Sequence, residues 1–296
     1  MRLHLVDGTY ELFRAHFSKR PDHRDARGHD AKATVGVAGS MLALLGDPEE
    51  RVTHLAIAFD NPVRSFRNEL YAGYKTEEGV DPVLLDQFDA VEHAMRALGL
   101  VVWSMREWEA DDALATGASR WADGVEQVRI LTPDKDLGQC LLGTRVVQVD
   151  RMRKRVIDEE ALLATRGVAP ASIPDYLALV GDAADGIPGI PGFGERTAAA
   201  LLRRYEHLDA IPASAAEWTV DVRGAHRLAA TLAARTQDAL LYRRLATLVR
   251  DVPLAETLDD LQWRGVKAEA FDAWCDQVRA SEALRERGHE MTTRLQ

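Results

Sequence analysis

Acidic residues stand directly after several short apolar runs that have the composition of buried strands, and this pattern limits the possible folds more than any other feature of the chain. The acids and the runs that they follow are Asp7 after residues 3–6, Asp60 after residues 55–59, and Asp134 and Asp136 after residues 128–132. In an open parallel sheet, the carboxyl ends of the strands line one edge, and ligands bind in the crevice there. The sequence therefore predicts that these acids meet at one edge of a sheet.

A further group of acids lies in residues 108–115, where Glu109, Asp111 and Asp112 fall within four positions at a predicted helix start. Acids are favourable in a first turn, so ordinary helix capping explains these three residues taken alone. Like charges gathered at one sheet edge, however, raise each other's pKa unless something compensates. Divalent cations compensate, and oxygen ligands suit Mg²⁺ or Mn²⁺. We therefore expect this edge to hold two or more such ions.

Phosphodiester hydrolysis is the chemistry that such a site favours. Two divalent ions about 3.5–4 Å apart need several shared carboxylates; one ion generates hydroxide from water, and the other stabilises the leaving oxygen. In phosphodiester hydrolysis, charge develops on the attacking and leaving oxygens, which is where two such ions act. The pair Asp134 and Asp136 is a weak signal alone, because Asp-x-Asp is common at helix starts. The pair becomes informative because other acids also follow predicted strands.

Strand and helix patterns alternate over the first half of the chain, which favours an α/β fold with a mainly parallel sheet flanked by helices. The predicted strands are 2–7, 54–59, 100–104, 128–132 and 145–149. The predicted helices are 10–17, 33–45, 84–98, one from about 109, and 135–142. A hairpin is predicted at 151–155, followed by a mostly helical part with helices at 172–180, 195–205, 226–248 and 268–280. We expect a core over 1–157 and a helical region over 158–296.

The composition is that of an ordinary globular protein, with 46% hydrophobic and 28% charged residues in a chain of 296. Its apolar runs are too short to span a membrane, and residues 1–7 fit a first strand better than a signal peptide. Cys140 and Cys275 are the only cysteines, so neither a disulfide framework nor a zinc site is indicated. We expect a cytoplasmic monomer with no membrane association.

The net charge of −10 argues against indiscriminate binding to nucleic acid, which normally rests on a basic surface. Bound metal would largely neutralise the acids described above, however. Local basic clusters also occur, at Arg64 with Arg67, at residues 151–155, and at Arg196 with residues 203–204. The overall charge therefore neither supports nor excludes binding to nucleic acid.

Residues 180–198 contain a second distinctive pattern, which begins with two more acids. Asp182 and Asp185 stand three positions apart, which on a helix is close to one turn. Side chains at that spacing lie on the same helix face. We therefore expect both carboxylates to point at the same metal cluster.

A run rich in glycine and proline follows these acids and leads to a helix predicted to begin near Glu195. Its glycines are Gly189, Gly192 and Gly194. A plain turn between helices needs only one or two glycines, whereas backbone amides at a helix N-terminus suit phosphate oxygens and glycines permit their close approach. We favour binding of a phosphate backbone, which positions nucleic acid without reading its sequence.

Several residues near the acids fit two interpretations. Arg67 and Lys75 form either a solvated helix face or contacts to the scissile phosphate. Tyr74 is either a core aromatic residue or one on which a base stacks, and Phe13 and Arg14 share this ambiguity.

Taken together, the motifs resemble the bacterial 5′-nuclease family, the flap endonucleases and 5′→3′ exonucleases that include the N-terminal nuclease domain of DNA polymerase I. The motifs occur in the family's order between about residue 3 and about residue 250. They are V-D-G at 6–8, F-D at 59–60, F-R at 66–67 with Y-K at 74–75, E-A-D-D at 109–112, T-P-D-K-D-L at 132–137, and G-D at 181–182 with G-E-R-T-A at 194–198.

The resemblance implies a PIN-like α/β core with a helical arch near 66–98, through which a 5′ flap threads. A helix–three-turn–helix motif at about 177–206 would follow and bind duplex DNA. Since no polymerase segment follows these motifs in the sequence, we expect a stand-alone enzyme.

The resemblance also implies roles for individual residues. The first metal would be surrounded by Asp7, Asp60, Glu109 and Asp111. The second metal would be served, directly or through water, by Asp134, Asp136, Asp182 and Asp185, with Asp112 as an outer ligand. Arg67 and Lys75 would hold the scissile phosphate. The remaining DNA contacts would be Phe13, Arg14, Tyr74, Gly189, Gly192, Gly194, Arg196 and Thr197, with a K⁺ ion beside the glycine run.

Three positions depart from the family pattern. Gly186 stands where the bacterial members usually carry Asn, which we expect to loosen that turn. Residues 76–82 are acidic where relatives tend to be basic, which leaves flap threading and the balance of endonuclease and exonuclease activity open. Phe13 stands where relatives often carry Tyr, so a hydroxyl contact would be lost and stacking kept.

The sequence thus predicts a metal-dependent, structure-selective DNA nuclease of replication and repair. It would act on nicked or branched duplex DNA near a 5′ end and leave 5′-phosphate and 3′-hydroxyl products. One alternative is a PIN-type ribonuclease, which matched RNA and DNA flap substrates would distinguish. Another is a catalytically silent DNA-structure-binding protein, which a Mn²⁺-dependent turnover assay would separate.

Overall fold

A six-stranded sheet forms the centre of the molecule, and the computed structural model describes residues 1–293. The strands are β1 (Arg2–Asp7), β2 (His54–Asp60), β3 (Val101–Met105), β4 (Gln127–Leu131), β5 (Val146–Asp150) and β6 (Arg155–Ile157). Their order across the sheet is β3-β2-β1-β4-β5-β6, with the first five parallel and β6 antiparallel to β5. The predicted α/β class with a mainly parallel sheet is confirmed.

Thirteen α-helices occur within residues 1–293. In the first half these are α1 (Gly8–His16), α2 (Lys32–Leu45), α3 (Arg67–Leu70), α4 (Pro82–Leu85), α5 (Phe88–Ala97) and α6 (Ala110–Trp121). The others are α7 (Glu159–Arg166), α8 (Ile173–Val180), α9 (Glu195–Tyr205), α10 (Ala225–Ala234), α11 (Thr236–Ala246), α12 (Ala268–Val278) and α13 (Glu282–Thr293). None of these helices combines the length and the apolar composition needed to cross a bilayer. Residues 294–296 of the predicted helical region lie outside the described part.

Strand β2 shows why the sheet is covered on both faces. Alternate side chains of a strand point to opposite faces, and in β2 both sets are apolar and buried. Leu55, Ile57 and Phe59 pack into the core beneath α1, α2 and α5. Ala56 and Ala58 pack into the core beneath α6 on the other face. Such continuous apolar strands are typical of a parallel sheet between two helical layers.

The helical region has a core of its own and also packs back on the sheet layer. Its core joins residues of α8, α9 and α11, such as Leu177, Leu201 and Leu245. Helix α12 returns to the first layer, where Phe271 and Trp274 are 0% and 1% exposed. Helix α12 therefore packs against the body of the molecule.

Two predicted helices are each broken into two. The helix expected at 84–98 is interrupted between α4 and α5 at Gln87, whose buried side chain accepts hydrogen bonds from the amides of Ala33 and Thr34 at 3.1 Å. The helix expected at 226–248 breaks at Arg235, where the Thr236 hydroxyl donates to the carbonyls of Leu232 and Ala233. Hydroxyls that bond to a preceding turn bend helices. The helix expected at 135–142 is a 3₁₀ turn over Asp136–Cys140.

The expected helical arch near 66–98 is only partly helical. Helix α3 has four residues and ends at Leu70, and Tyr71 after it is extended, with φ −148°. Residues 71–81 contain no helix. The solvated helix face that was one interpretation of Arg67 and Lys75 is therefore wrong, because these residues lie on either side of a helix end.

Candidate active site

The carboxyl ends of β1 and β2 present two buried aspartates side by side. Asp7 caps α1 by accepting a hydrogen bond from the Tyr10 amide at 2.8 Å, and its other oxygen accepts one from the Thr132 hydroxyl at 2.9 Å. Asp60 accepts a hydrogen bond from the Ala110 amide at 2.7 Å. The strands thus place both carboxylates at the predicted edge and fix their orientation.

Helix α6 brings the next acids to the same edge. Glu109 is its N-cap and forms a capping box with Asp112, in which each side chain accepts from the other residue's backbone amide. This arrangement satisfies amide groups that a helix start leaves unpaired. Asp111, between them, is not used for capping and lines a cleft instead. The loop after β4 adds Asp134, whose side chain also accepts a hydrogen bond from the Asp136 amide.

These residues enclose a cleft of about 300 Å³, which we call the acidic cleft. It is lined by Asp7, Thr9, Tyr10, Phe13, Asp60, Lys75, Asp111, Pro133 and Asp134. The predicted convergence of acids from separate strands is therefore present, with four aspartates in one cavity wall. Thr9, Tyr10 and Pro133 also line the cleft, although no role was predicted for them because they carry no charge.

A second group of acids, which we call the aspartate triad, consists of Asp136, Asp182 and Asp185. One carboxylate oxygen of each lies within 4.8 Å of the others. Asp182 and Asp185 do not lie on a helix, as the three-residue spacing predicted. They belong to a turn closed by backbone hydrogen bonds between Asp182 and Ile187 at 2.7 and 2.8 Å. The two side chains converge because the turn folds back, not because of helical periodicity.

Burial and mutual repulsion raise the pKa values of these aspartates. Loss of hydration, with Asp60 nearby, raises the pKa of Asp7 to about 7. Burial, with the charge of Glu109 nearby and Lys75 opposing it, raises the pKa of Asp60 to about 6. Burial and the charge of Asp134 hold the pKa of Asp111 well above its usual value. A positive charge placed nearby would stabilise the ionised form of these buried carboxylates.

The aspartate triad also fits a divalent ion, because its carboxylates lie close together and two of them raise the pKa of the third. Burial and the charges of Asp134, Asp185 and Asp182 raise the pKa of Asp136 well above its usual value. Its Oδ1 atom is buried and accepts no hydrogen bond from residues 1–293, which is costly for a carboxylate oxygen. Several hard oxygen donors around one point are the ligand set of Mg²⁺ or Mn²⁺.

Two lysines lie among the acids. The Lys75 ammonium lies 3.0 Å from Glu109 and 3.1 Å from Asp185, and it lines the acidic cleft. Lys135 lies 2.8 Å from Asp182 of the triad. No role was predicted for Lys135, although it lies between Asp134 and Asp136 in the sequence.

The structure contradicts the predicted roles of Arg67 and Tyr74, whereas the role of Asp112 as an outer metal ligand stays a prediction. Arg67 is fully buried, and its guanidinium donates to both oxygens of Asp112 at 2.7 Å and to the Leu245 carbonyl at 2.8 Å. Arg67 therefore cannot reach a phosphate, and Asp112 is occupied as its partner. Tyr74 is 3% exposed and donates its hydroxyl to Glu109 at 3.1 Å, so it is a core aromatic residue and no base can stack on it.

Glu109 is surrounded by donors. Its carboxylate accepts hydrogen bonds from the Ser65 hydroxyl at 2.6 Å and from Tyr74. Burial opposes ionisation, but the charges of Lys75 and Arg67 outweigh it and hold the pKa of Glu109 below its usual value. Glu109 is thus ionised and positions Lys75 at the cleft, and its role as a metal ligand stays a prediction.

The glycine run joins α8 to α9, as the predicted helix–turn–helix requires. Gly192 and Gly194 are exposed beside the start of α9, where Arg196 is exposed and Thr197 partly so. Gly189 is buried, and a Cβ atom there would lie 2.6 Å from the Gly181 amide. The structure therefore assigns Gly189 to backbone packing and contradicts its predicted contact with DNA.

Helix α1 carries the last two residues predicted to contact DNA, Phe13 and Arg14. Phe13 lines the acidic cleft, and its contact with a base stays a prediction. Arg14 is partly buried and binds the Glu11 carboxylate and the Ser40 hydroxyl. Direct contact between Arg14 and DNA stays a prediction.

Comparison with known proteins gives two family matches that together run from residue 2 to residue 269. Residues 2–167 match the model of the 5'-3' exonuclease N-terminal resolvase-like domain. Residues 168–269 match the model of the 5'-3' exonuclease C-terminal SAM fold. The division that we predict between residues 157 and 158 stays a prediction.

Curated relatives agree with these matches. The 5'-3' exonuclease of Aquifex aeolicus is 30% identical over 262 residues, which cover 88% of this chain and 86% of that protein. DNA polymerase I of Bacillus caldotenax is 33% identical over 274 residues, 90% of this chain. The aligned part is 30% of the polymerase's own length.

Solved structures show the same fold. The T5 5'-exonuclease with bound zinc matches all of this chain with a TM-score of 0.63 at 16% identity, over all of its own length. The catalytic core of Rad2 in complex with a DNA substrate matches 99% of this chain and 92% of its own, with a TM-score of 0.63 at 14% identity. From the two family models and the Aquifex relative, we conclude that the chain belongs to the 5'-3' exonuclease family.

Proposed function

We propose that the chain is a divalent-metal-dependent, structure-selective DNA nuclease with 5′ flap endonuclease and 5′→3′ exonuclease activity, which leaves 5′-phosphate and 3′-hydroxyl products. The observation that carries this proposal is the convergence of Asp7, Asp60, Asp111 and Asp134 in one cleft. Membership of the 5'-3' exonuclease family supports it, as do the DNA complexes of the T5 flap endonuclease and Rad2. We place the activity in cytoplasmic DNA replication and repair, with a monomeric enzyme acting on nicked or branched duplex DNA.

The four cleft aspartates would hold one divalent ion, and the aspartate triad would hold another. Bound Mg²⁺ or Mn²⁺ supplies a Lewis acid that lowers the pKa of water and offsets charge on phosphate oxygens. Lys75, held at the cleft by Glu109 and Asp185, is placed to bind the scissile phosphate. Phe13 offers an aromatic face to a base at the cleft, and such stacking tolerates any sequence.

The glycine run at the start of α9 would hold the duplex through its phosphates. Gly192 and Gly194 leave backbone amides accessible there, and Arg196 adds a positive charge. We retain the K⁺ ion in the proposal, because residues 187–194 offer backbone carbonyls and contain no carboxylate. Comparing duplex affinity in K⁺ and Na⁺ buffers of equal ionic strength tests this part.

The central test is the pair of variants Asp134→Asn and Asp7→Asn. We expect each to lower flap cleavage at least about 100-fold, because each removes a ligand charge from the cleft. DNA binding, measured by fluorescence anisotropy, should largely survive. Asp259→Asn, at a site 81% exposed, is the control with the same change of charge. Normal cleavage by both cleft variants refutes the assignment.

The substrates in this assay also decide between classes of activity. We would compare a 5′ flap, a nick, a gap and a single strand, each as DNA and as RNA, with Mg²⁺ or Mn²⁺. Cleavage restricted to the RNA set would replace the proposal with a ribonuclease. Binding without turnover in either metal would leave only a DNA-structure-binding protein.

A further inference from the structure

Gln148 is a polar residue in the middle of the buried strand β5. The strand has the sequence V-V-Q-V-D and is buried along its whole length, and Gln148 is 3% exposed. Val147 and Val149 pack into the core beneath α1, α2 and α5, so Gln148 points to the opposite face of the sheet. A buried amide group is costly unless it forms hydrogen bonds. The hydrogen-bond partners of Gln148 therefore indicate its role.

The side-chain amide of Gln148 binds the loop that follows β4. Its Nε2 atom donates to the Thr132 carbonyl at 3.0 Å and also to the Asp134 carbonyl. The backbone pairing of β4 with β5 ends at Ile130 and Gln148, so the side chain continues the contact between the two strands beyond the backbone ladder. A single amide group thereby fixes two carbonyls of one short loop.

This loop supplies a carboxylate to each proposed metal position. Asp134 lines the acidic cleft, and Asp136 belongs to the aspartate triad. The Asp136 amide donates to the Asp134 side chain at 2.9 Å, which links the two residues. The Thr132 hydroxyl donates to Asp7 at 2.9 Å and accepts a hydrogen bond from the Asp134 amide at 3.1 Å. A shift of the loop would therefore move carboxylates of both groups.

Packing alone does not fix this loop. Asp134 is exposed, and Pro133 and Lys135 are only partly buried. The charges of Asp134 and Asp136 also repel each other, which favours separation of the two side chains. Gln148 opposes such movement from a rigid base, because β5 is paired with β4 on one side and with β6 on the other.

We propose that Gln148 is a positioning residue of the metal site, which holds the loop after β4 so that Asp134 and Asp136 reach their two ions at the same time. This inference rests on the proposed nuclease function. Side chains that orient metal ligands contribute a factor of about 10–100 in metal affinity. Gln148 orients the two aspartates through their backbone and is not itself a ligand.

The test is Gln148→Met, which keeps an unbranched side chain of similar length and removes both hydrogen-bond donors. Binding of Mn²⁺ to the enzyme without DNA is measured by electron paramagnetic resonance of the free ion. We expect the Kd of both ions to rise at least about tenfold, because the loop carries a ligand of each. The cleavage rate should fall at low Mn²⁺ and return to within about threefold of the wild-type rate at saturating Mn²⁺, since every carboxylate is kept.

The matched control is Gln87→Met. Gln87 is also buried, at 1% exposed, and its amide also donates to a backbone carbonyl, that of Val83 at 3.2 Å. Its contacts are with α2 and α4 and not with the loop after β4. Both variants should lower Tm without metal, because each leaves a buried carbonyl without its donor. Only Gln148→Met should change the Kd of Mn²⁺.

An unchanged Kd in Gln148→Met, an equal rise in the control, or a rise for only one of the two ions would overturn the inference. If Gln148→Met does not fold, Gln148→Asn takes its place. That variant keeps the amide but draws it back by one carbon, so Kd should rise at least about threefold, and an unchanged Kd would again overturn the inference. Failure of the wild type to bind Mn²⁺ or to cleave DNA contradicts the proposed function instead.

Discussion

Two cations reach the buried carboxylate of Glu109 from different environments. Arg67 is fully buried between Asp112 and the backbone of α11. Lys75 keeps 24% of its side chain exposed and lines the acidic cleft. Their charge is the same, but only Lys75 has access to a substrate. We therefore expect Arg67 to contribute to stability, and phosphate binding stays the proposed role of Lys75 alone.

This distinction predicts opposite effects for Lys75→Met and Arg67→Met. Lys75→Met should lower kcat about 100-fold, because a charge at the reacting phosphate is lost, and should change Tm little in saturating Mg²⁺. Arg67→Met should lower the free energy of unfolding by about 3–5 kcal/mol, because Asp112 is left charged and unpaired in the core. Thermal unfolding and single-turnover cleavage measure the two effects. An Arg67→Met protein of normal Tm without activity would reverse the assignment.

His4 and Glu50, at the opposite end of β1, contribute to the dependence of stability on pH. The Nε2 atom of His4 lies 3.0 Å from Glu50, which also pairs with Arg129 at 2.8 Å. The hydrogen bond to His4 and the charge of Arg129 lower the pKa of Glu50 to about 2, although burial opposes this. Burial lowers the pKa of His4, although Glu50 opposes it. Both groups therefore bind protons more readily in the unfolded chain.

The contribution of His4 and Glu50 to the free energy of unfolding should consequently rise with pH between about 2 and about 6.5, because these two groups bind more protons in the unfolded state over that range. The cleft aspartates, whose pKa values are raised, act in the opposite direction above about pH 4. The Glu50 contribution is present above its unfolded pKa, near 4.5, and is lost as the pH falls towards 2. Glu50→Gln should flatten the curve below about pH 4.5 and lower stability at pH 7 by about 1–3 kcal/mol. Urea unfolding at a series of pH values measures this. Glu126→Gln, 56% exposed at the same end of the sheet, should leave the curve nearly unchanged.

Among the secondary-structure elements, the turn after Asp185 has a larger role than its sequence suggested. Gly186 has φ +73°, and a Cβ atom there would lie 2.1 Å from the Gly73 carbonyl oxygen. The adjacent Lys75 amide donates to the Asp185 carbonyl at 3.0 Å. The expected loosening is therefore wrong: the glycine lets the turn pack against the segment that carries Lys75.

Gly186→Ala should displace residues 73–75 and with them the Lys75 ammonium. We expect a loss of about 1–3 kcal/mol in the free energy of unfolding and a fall in kcat of at least about tenfold, with DNA affinity kept. Gly143→Ala is the matched control, since Gly143 also has positive φ, +49°, but nothing within 4 Å of its Cβ position. If the two variants lose equal stability and keep full kcat, backbone strain alone explains the effect.

For the whole molecule, the charge distribution predicts a dependence on divalent metal. The acidic cleft and the aspartate triad concentrate seven aspartates next to one another in a chain of net charge −10. Any ion that binds the folded state alone stabilises it by mass action.

Mg²⁺ should therefore raise Tm by an amount equivalent to about 2.7 kcal/mol when its concentration is a hundred times its Kd. KCl of the same ionic strength should give a smaller shift. In the combined variant Asp7→Asn with Asp136→Asn, the Mg²⁺ shift should largely disappear, while Tm without metal should rise because repulsion is relieved. Differential scanning calorimetry with and without EDTA makes the comparison. An undiminished Mg²⁺ shift in the variant would place the bound ion elsewhere.

Local sequence patterns were sufficient to predict the strands of the sheet and the acids of the candidate site. The five parallel strands were readable because most of them are buried on both faces and so form short apolar runs, which need no partner to be recognised. The acids Asp7, Asp60 and Asp134 were readable as a site because parallel strands end at a common edge. Family motifs then supplied the reaction class. These conclusions depend on residues close together in sequence and on a general rule of sheet geometry.

Tertiary packing decided which charged residues are accessible. Nothing in the sequence distinguishes Arg67 from Lys75, or Asp112 from Asp111; the first of each pair is buried because α6, α11 and the segment after α3 enclose it. The break at Gln87 and the turn that joins Asp182 to Asp185 also depend on contacts with distant segments. Charge and spacing are local properties of a chain, whereas burial and convergence arise only when separate segments pack together.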